Sequence, residues 1–306
     1  MRVRVLGSSA GGGFPQWNCG CPNCAGLRRS SILAVARTQE SVAVGIPPSD
    51  RWLVINASAD MGRQMEAWPA LHPRGLRDSP VLGVVLTNGD LDHCLGLLCL
   101  REDQPLVVFA TERVWHSFYD ANAFSRTLQR FSGHVTWCPL VLGAEQRVDW
   151  GGDRATTVSL VPVAVPGKVP LHMRGAAGHP EDNIGLIVKT TKPNRTMLYL
   201  SNVGGPFPEA ESLLSQAECI FFDGTFWTSD ELIRLGVGSR RAEEMAHWPL
   251  GGDEGSLALL ARFPERRRVL IHINNTNPIL REDSPERQQV ERSGVEVAAD
   301  GLEIDL

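Results

Sequence analysis

The chain has 306 residues, of which 42% are hydrophobic and 21% charged, and its formal net charge is -5. This composition is typical of a soluble globular protein with enough apolar residues for a sizeable core. A net negative chain without a basic stripe is a poor match for nucleic acid, so we expect no such partner. The apolar runs are strand-sized, which predicts no membrane span. The first six residues alternate like a strand and lack the features of a secretory signal, so we expect a cytoplasmic protein.

Short apolar strands recur along the chain and alternate with helical patterns. Strands are predicted over residues 3–6, 41–46, 52–56, 81–87, 106–109, 157–163, 184–189, 196–201, 219–223 and 269–273. Helices are predicted over residues 61–68, 112–127, 208–216, 255–262 and 285–293. This mixture favours two sheets with helices outside them, in a single domain over residues 1–306. The longest irregular stretch, residues 165–183, is predicted to be a loop over a site or an interface.

Three of the seven cysteines, Cys19, Cys21 and Cys24, lie within six residues of each other in a segment rich in glycine and proline. Thiolates at such short spacing commonly bind structural zinc in a tetrahedral site. We therefore predict a zinc-binding loop at about residues 14–26, with a fourth ligand from elsewhere in the fold. The alternative is a loop with three reduced thiols. The other four cysteines are scattered, which indicates a reducing compartment.

A second cluster of chemically active side chains follows the predicted strand 81–87. Asp90, Asp92 and His93 leave the end of this strand together, between two apolar segments. A turn at that point can direct all three side chains into one cavity. The alternative is a solvated turn in which an aspartate caps a helix.

Three later segments carry further candidates. His272 ends an apolar strand and precedes Asn274, Asn275 and Asn277, whose amides can orient an imidazole or bind a metal or substrate. Asp223 also ends an apolar strand, where an unpaired carboxylate would be costly to bury. His179 lies in a loop, where Asp182 could support it or act as a ligand itself. The sequence gives His116, His134, His172 and His247 no such neighbours, so they are interpreted as surface or packing residues.

Three classes of function remain open on the residues alone. The first is a metalloenzyme with a mixed histidine and aspartate site beside a separate zinc site. The second is a metal-stabilised binding protein for a polar small molecule, and the third is an interaction protein with purely structural zinc. Two ligand-rich clusters, rather than one, favour the metalloenzyme.

The stretch from Thr87 to His93, T-x-x-D-x-D-H, resembles the T-H-x-H-x-D-H signature of the metallo-β-lactamase superfamily. Asn88 and Asp90 stand where that signature has its first two histidines. His179 and His272 are similar in position to later metal-binding histidines of the superfamily, and Asn202 stands where an aspartate bridges two metals. The resemblance implies an αββα four-layer sandwich with the site at one edge of the sheets. With two histidines and the bridging aspartate replaced, a dinuclear metallo-hydrolase is disfavoured.

Longer segments resemble the coenzyme PQQ biosynthesis protein B family, from LGSSAGGGFPQWNC at Leu6 to IHINNTNPIL at Ile271. This resemblance implies a role in making pyrroloquinoline quinone (PQQ), through iron-dependent hydroxylation of the tyrosine ring of a cross-linked Glu-Tyr precursor. The alternative is a non-enzymatic carrier of PQQ or its precursor toward the periplasm. PQQ or its precursor is the expected small-molecule partner, and other PQQ-biosynthesis proteins are candidate partners.

The same resemblance implies roles for individual residues as iron ligands, substrate-binding groups and zinc ligands. Fe(II) is expected on His93, His272 and Asp92, with His179 as a further ligand, because two histidines and a carboxylate suit non-haem iron. Asp90 and Asp223 are expected to orient ligands or handle protons. Substrate-binding positions are expected at Asp182, Asn202, Asn274 and Asn277. Structural zinc is expected on the three clustered cysteines and on Asn275, which occupies the position of a zinc-binding histidine in relatives.

Overall fold

The structure is a computed structural model that describes residues 1–47, 49–149 and 158–306. Fourteen strands within these ranges form two seven-stranded sheets. The strands are β1 (Arg2–Gly7), β2 (Ser41–Gly45), β3 (Trp52–Ile55), β4 (Val81–Val85), β5 (Leu106–Ala110), β6 (Val135–Pro139), β7 (Gln146–Val148), β8 (Val158–Ala164), β9 (Ile184–Thr191), β10 (Asn194–Leu200), β11 (Cys219–Asp223), β12 (Arg267–Ile271), β13 (Glu296–Val297) and β14 (Glu303–Asp305). The α-helices are α1 (Pro22–Arg28), α2 (Met61–Glu66), α3 (Leu91–Cys94), α4 (Glu112–Trp115), α5 (Ala210–Gln216), α6 (Glu231–Arg234), α7 (Ser256–Ala261) and α8 (Pro285–Arg292).

The two sheets have matching architectures. The first runs in the order β14-β1-β2-β3-β4-β5-β6 and the second in the order β13-β12-β11-β10-β9-β8-β7. Strands β3 to β6 are parallel, and so are β10 to β13. Because parallel strands end at the same edge of a sheet, the loops after β4 and β12 can carry site residues, as is common for open α/β sheets.

Alternating side chains divide the core into three layers. Val44, Leu53 and Ile55 of the first sheet face Tyr199 and Phe221 of the second in the central layer. The opposite face of the first sheet packs on α2, where Met61 is fully buried. The opposite face of the second sheet packs on α5, α7 and α8. This arrangement confirms the predicted αββα fold, and each fully buried large side chain contributes about 1.5–3 kcal/mol.

Several elements differ from their predictions. The predicted helix 112–127 continues from α4 as a π-helical turn over His116–Asp120. It ends there, and Asn122 starts a separate turn by accepting a hydrogen bond from the backbone of Phe124. Helix α1 was not predicted; it begins at Pro22, and the Cys21 side chain caps it. Of the predicted strand 157–163, Thr157 lies outside the described residues. Within the described ranges, no helix is long and apolar enough to cross a membrane.

Candidate metal centre

The loops after β4 and β12 bring two histidines and one carboxylate together across the two sheets. Helix α3 holds Asp92 and His93, and His272 directly follows β12. The two histidine Nε2 atoms are 3.2 Å apart, and the Asp92 carboxylate lies 3.2 Å from His272 and 3.7 Å from His93. Three donor atoms at these separations could hold a single metal ion.

The backbone of His272 adopts a left-handed conformation, with φ of 58°. This conformation is unusual for a histidine and costs on the order of 1–3 kcal/mol. Strain at this point is consistent with a functional placement of the ring.

Hydrogen bonds to the Nδ1 atoms leave both Nε2 atoms free to bind a metal. The Nδ1 of His272 lies 2.9 Å from the Thr225 hydroxyl, which in turn lies 2.6 Å from a carboxylate oxygen of Asp223. The Nδ1 of His93 lies 3.3 Å from the Thr87 hydroxyl and 3.7 Å from the Glu40 carboxylate. Such partners fix the tautomer and the ring orientation of a metal-binding histidine.

The charges of the three ligands are coupled. Burial lowers the pKa of His93 to about 4, so this ring is neutral and ready to bind a cation. Burial alone would also lower the pKa of His272, but its hydrogen bond to Asp92 and the nearby carboxylates raise it. Burial opposes ionisation of Asp92, yet the two histidines outweigh that effect and hold its pKa below the usual range. A metal-bound imidazole must give up its proton on the binding nitrogen, so metal binding competes with the protonation that these carboxylates favour on His272.

His247 lies at this site, although no pattern in the sequence selects it. Its Nδ1 lies 2.8 Å from Asp223, and its ring stacks on that of His272 with centroids 5.2 Å apart. Asp223, His247 and His272 form a second group that could hold a metal. His247 lies in the loop between α6 and α7, and the tertiary fold brings it to the site. His247 is thus a buried residue that packs on His272, in line with one of the two interpretations, and it also belongs to a group that could hold a metal.

Other predicted site residues take different positions. Asp90 forms an ion pair with Lys168, which lies in the predicted loop over the site. Asn202 and Asn274 line the same cavity as His272.

His179 and Asp182 lie on a neighbouring cavity instead. Asp182 pairs with Arg113 and accepts a hydrogen bond from the backbone N–H of His179. These contacts hold His179, predicted as a further iron ligand, and Asp182, predicted to bind substrate, at this cavity and not beside Asp92, His93 and His272. Asn277 is fully buried, and its amide bonds to the backbone of Gly224 and Ile279. These contacts leave it no free group for a substrate, which corrects the prediction.

The three clustered cysteines surround the side-chain amide of Asn275. The amide Nδ2 lies 3.1 Å from the sulfur of Cys19, 3.3 Å from Cys24 and 3.7 Å from Cys21. In a tetrahedral zinc site, an oxygen ligand is about 3.6 Å from each sulfur. The oxygen and nitrogen of an amide side chain are assigned from their surroundings and can be exchanged by turning the amide over. In the turned orientation, the oxygen of Asn275 would stand at the fourth corner of the zinc site. The residues present therefore fit zinc.

The metal-binding cluster opens into a cavity of about 860 Å³. Its wall includes Phe226 and Met245, together with polar groups from Asn202, Asn274 and Thr225. Apolar walls with a few convergent polar groups are typical of small-molecule sites.

The fold places the chain in the β-lactamase superfamily, and the site contains side chains that could hold a metal ion. The family model of the beta-lactamase superfamily domain matches residues 51–273. The crystal structure of Zn²⁺-bound PqqB from Methylobacterium extorquens superposes with a TM-score of 0.89, at 39% identity and full coverage of both chains. A diphosphatase of the PhnP family shares the fold, with a TM-score of 0.65 at 17% identity, over all of this chain and 97% of that one.

The sequence comparison narrows this class to one family. The chain is 42% identical to coenzyme PQQ synthesis protein B of Azotobacter vinelandii and 43% identical to that of Azoarcus, with full coverage of both chains in each comparison. The chain belongs to the coenzyme PQQ synthesis protein B family.

Proposed function

We propose that this chain catalyses the iron-dependent hydroxylation of the tyrosine ring of a cross-linked Glu-Tyr precursor during PQQ biosynthesis. The observation that carries the proposal is the set of Asp92, His93 and His272, whose donor atoms lie 3.2–3.7 Å apart beside an open cavity. A metal ion held by three protein ligands keeps coordination positions open for O2 and substrate, whereas a closed structural site has no open position. Bound Fe(II) supplies the activation of O2.

The remaining groups of the site orient the ligands and the substrate. Thr225 and Asp223 hold the Nδ1 side of His272, so its Nε2 faces the ligand position. Asp223 also holds Nδ1 of His247, which leaves the Nε2 of His247 as the atom that can take the phenol proton of the substrate. Phe226 and Met245 form the apolar wall against which the ring would lie.

The reaction replaces one ring C–H bond by C–OH. One atom of O2 enters the ring and the other leaves as water, with two electrons and two protons from a reductant such as ascorbate. The test uses the full chain, reconstituted with Fe(II) without oxygen and then given O2, ascorbate and the cross-linked Glu-Tyr substrate. Mass spectrometry should detect a product that is heavier by one oxygen atom.

A matched pair of variants separates the site from the fold. His93→Ala should lose product formation, whereas His116→Ala should retain it, because His116 is exposed and its ion pairs are with Glu112 and Asp120 of its own segment. Zinc should not support turnover, since it has no redox chemistry. Tight binding of PQQ without turnover under any metal would overturn the hydroxylase and favour the carrier role.

A further inference from the structure

The wall of the cavity beside the candidate metal site carries more cationic than anionic side chains, although the chain as a whole is negatively charged. Among the described residues, its wall carries three cations, Lys168, Arg174 and Arg240, and two carboxylates, Asp90 and Asp92. Cations therefore outnumber carboxylates on this wall, although the whole chain has a net charge of -5. Local positive potential in a cleft concentrates anionic ligands.

The two carboxylates of this wall already have partners. Asp90 pairs with Lys168, and Asp92 lies against His93 and His272. Arg174 and Arg240 have no hydrogen bond or ion pair from their guanidinium groups to any residue in the described parts of the chain. In the neighbouring cavity, by contrast, Arg113 is paired with Asp182. Arg174 and Arg240 are therefore unpaired cations on a wall whose other charged side chains each have a partner.

The same wall exposes apolar side chains that monomeric proteins usually bury. Leu91 and Leu171 are 57% and 66% exposed, and both line the cavity with Phe226 and Met245. Exposed apolar groups around a cleft commonly mark a ligand-binding surface. A cavity lined both by apolar side chains and by two unpaired guanidinium groups matches a ring that carries carboxylates.

We propose that Arg174 and Arg240 bind carboxylates of the ligand, so that the cavity selects a ring bearing at least two of them. The inference deepens the proposed function, because it names what distinguishes the substrate of that same site. The guanidinium group suits this role, since its planar fork donates two parallel hydrogen bonds to one carboxylate. Two arginines from separate loops, residues 165–183 and 235–242, would bind two carboxylates at different ends of one molecule.

The test measures binding to the metal-loaded full chain by isothermal titration calorimetry at low ionic strength. The ligands are PQQ, benzene tricarboxylate, benzene dicarboxylate and benzoate, so that the number of carboxylates varies. Affinity should rise with the number of carboxylates and fall with added salt. Arg174→Gln and Arg240→Gln should each weaken PQQ binding about 10-fold or more, as expected for the loss of a charged hydrogen bond.

Two further variants control for charge and folding. Arg241→Gln removes an exposed arginine of the same loop that does not line the cavity, and it should leave affinity unchanged. Arg174→Lys should restore part of the affinity, because the charge returns without the fork. Equal affinity for benzoate and benzene tricarboxylate, or wild-type affinity in the Arg174→Gln, Arg240→Gln double variant, would overturn the inference.

Failure of this inference can be distinguished from failure of the proposed function. Normal hydroxylation with an unchanged KM in the double variant would refute the arginine subsite and leave the hydroxylase intact. Arginine-dependent binding of PQQ by a wild-type protein that hydroxylates nothing would support the subsite and refute the hydroxylase.

Discussion

Replacement of Glu231 by glutamine should change how the stability of this protein depends on pH. Glu231 begins α6, is 3% exposed, and accepts hydrogen bonds from the Trp227 backbone and the Thr276 hydroxyl. Burial raises its pKa from 4.5 to about 7. The folded state therefore holds a proton on Glu231 at pH values where the unfolded chain has lost it.

The difference between the pKa of Glu231 in the folded and unfolded states sets the direction and the size of the pH effect on stability. Between about pH 4.5 and pH 7 the folded state binds more protons, so the free energy of unfolding falls as pH rises. A rise of 2.5 pKa units corresponds to about 3.4 kcal/mol at 1.36 kcal/mol per unit, of which about 2 kcal/mol should be lost between pH 5.5 and pH 8. Glutamine resembles the protonated acid and does not titrate, so Glu231→Gln should remove this part of the decline.

Urea unfolding at several pH values, followed by tryptophan fluorescence, measures the effect directly. The wild-type chain and Glu231→Gln should diverge by about 2 kcal/mol across the range, in favour of the variant at high pH. Glu243→Gln, at an exposed glutamate, is the control and should follow the wild type. Parallel curves for wild type and Glu231→Gln would refute the assignment of a buried, protonated carboxyl group at this position.

Three further predictions concern the zinc site and the core. Cys21→Ser should lose one zinc per chain by metal analysis and several kcal/mol of stability, because structural zinc contributes roughly 10 kcal/mol; Cys99→Ser, at an exposed cysteine, should keep the metal. Asn275→His should slow zinc loss to a chelator, since imidazole is a better ligand than an amide; equal rates would argue against Asn275 at the fourth position. Tyr199→Phe should raise the unfolding free energy by about 1 kcal/mol, because the buried hydroxyl has no hydrogen-bond partner among the described residues; a loss of stability would indicate a hidden partner.

The strands that meet in the centre of the molecule could be predicted from local sequence. Segments such as β11 and β12 are short, apolar and bounded by polar turns, and their predicted positions agree with the structure to within two residues. The edge strands β13 and β14 were missed because they are two and three residues long and carry charged side chains. Their pairing depends on neighbours far away in the sequence, which local patterns do not encode.

Some residues of the candidate site could likewise be predicted from the sequence, and others could not. His93 and His272 follow apolar strands, so the sequence already indicated that the fold would direct them inward. His247 follows no such strand and was missed, because its position depends on its bond to Asp223. His179 had a suggestive spacing, yet its loop is held at the neighbouring cavity by the ion pair of Asp182 with Arg113. Spacing along the chain cannot reveal such pairings.

The proposed hydroxylase requires that Fe(II) held by Asp92, His93 and His272 support the insertion of oxygen from O2 into the substrate ring. The most direct measurement supplies heavy-isotope O2 to the Fe(II)-loaded full chain with ascorbate and the cross-linked Glu-Tyr substrate. Mass spectrometry should then find one labelled oxygen atom in the hydroxylated product and none in the product from the His272→Ala variant. Bound substrate that emerges unchanged, or product oxygen that comes from water, would contradict the claim.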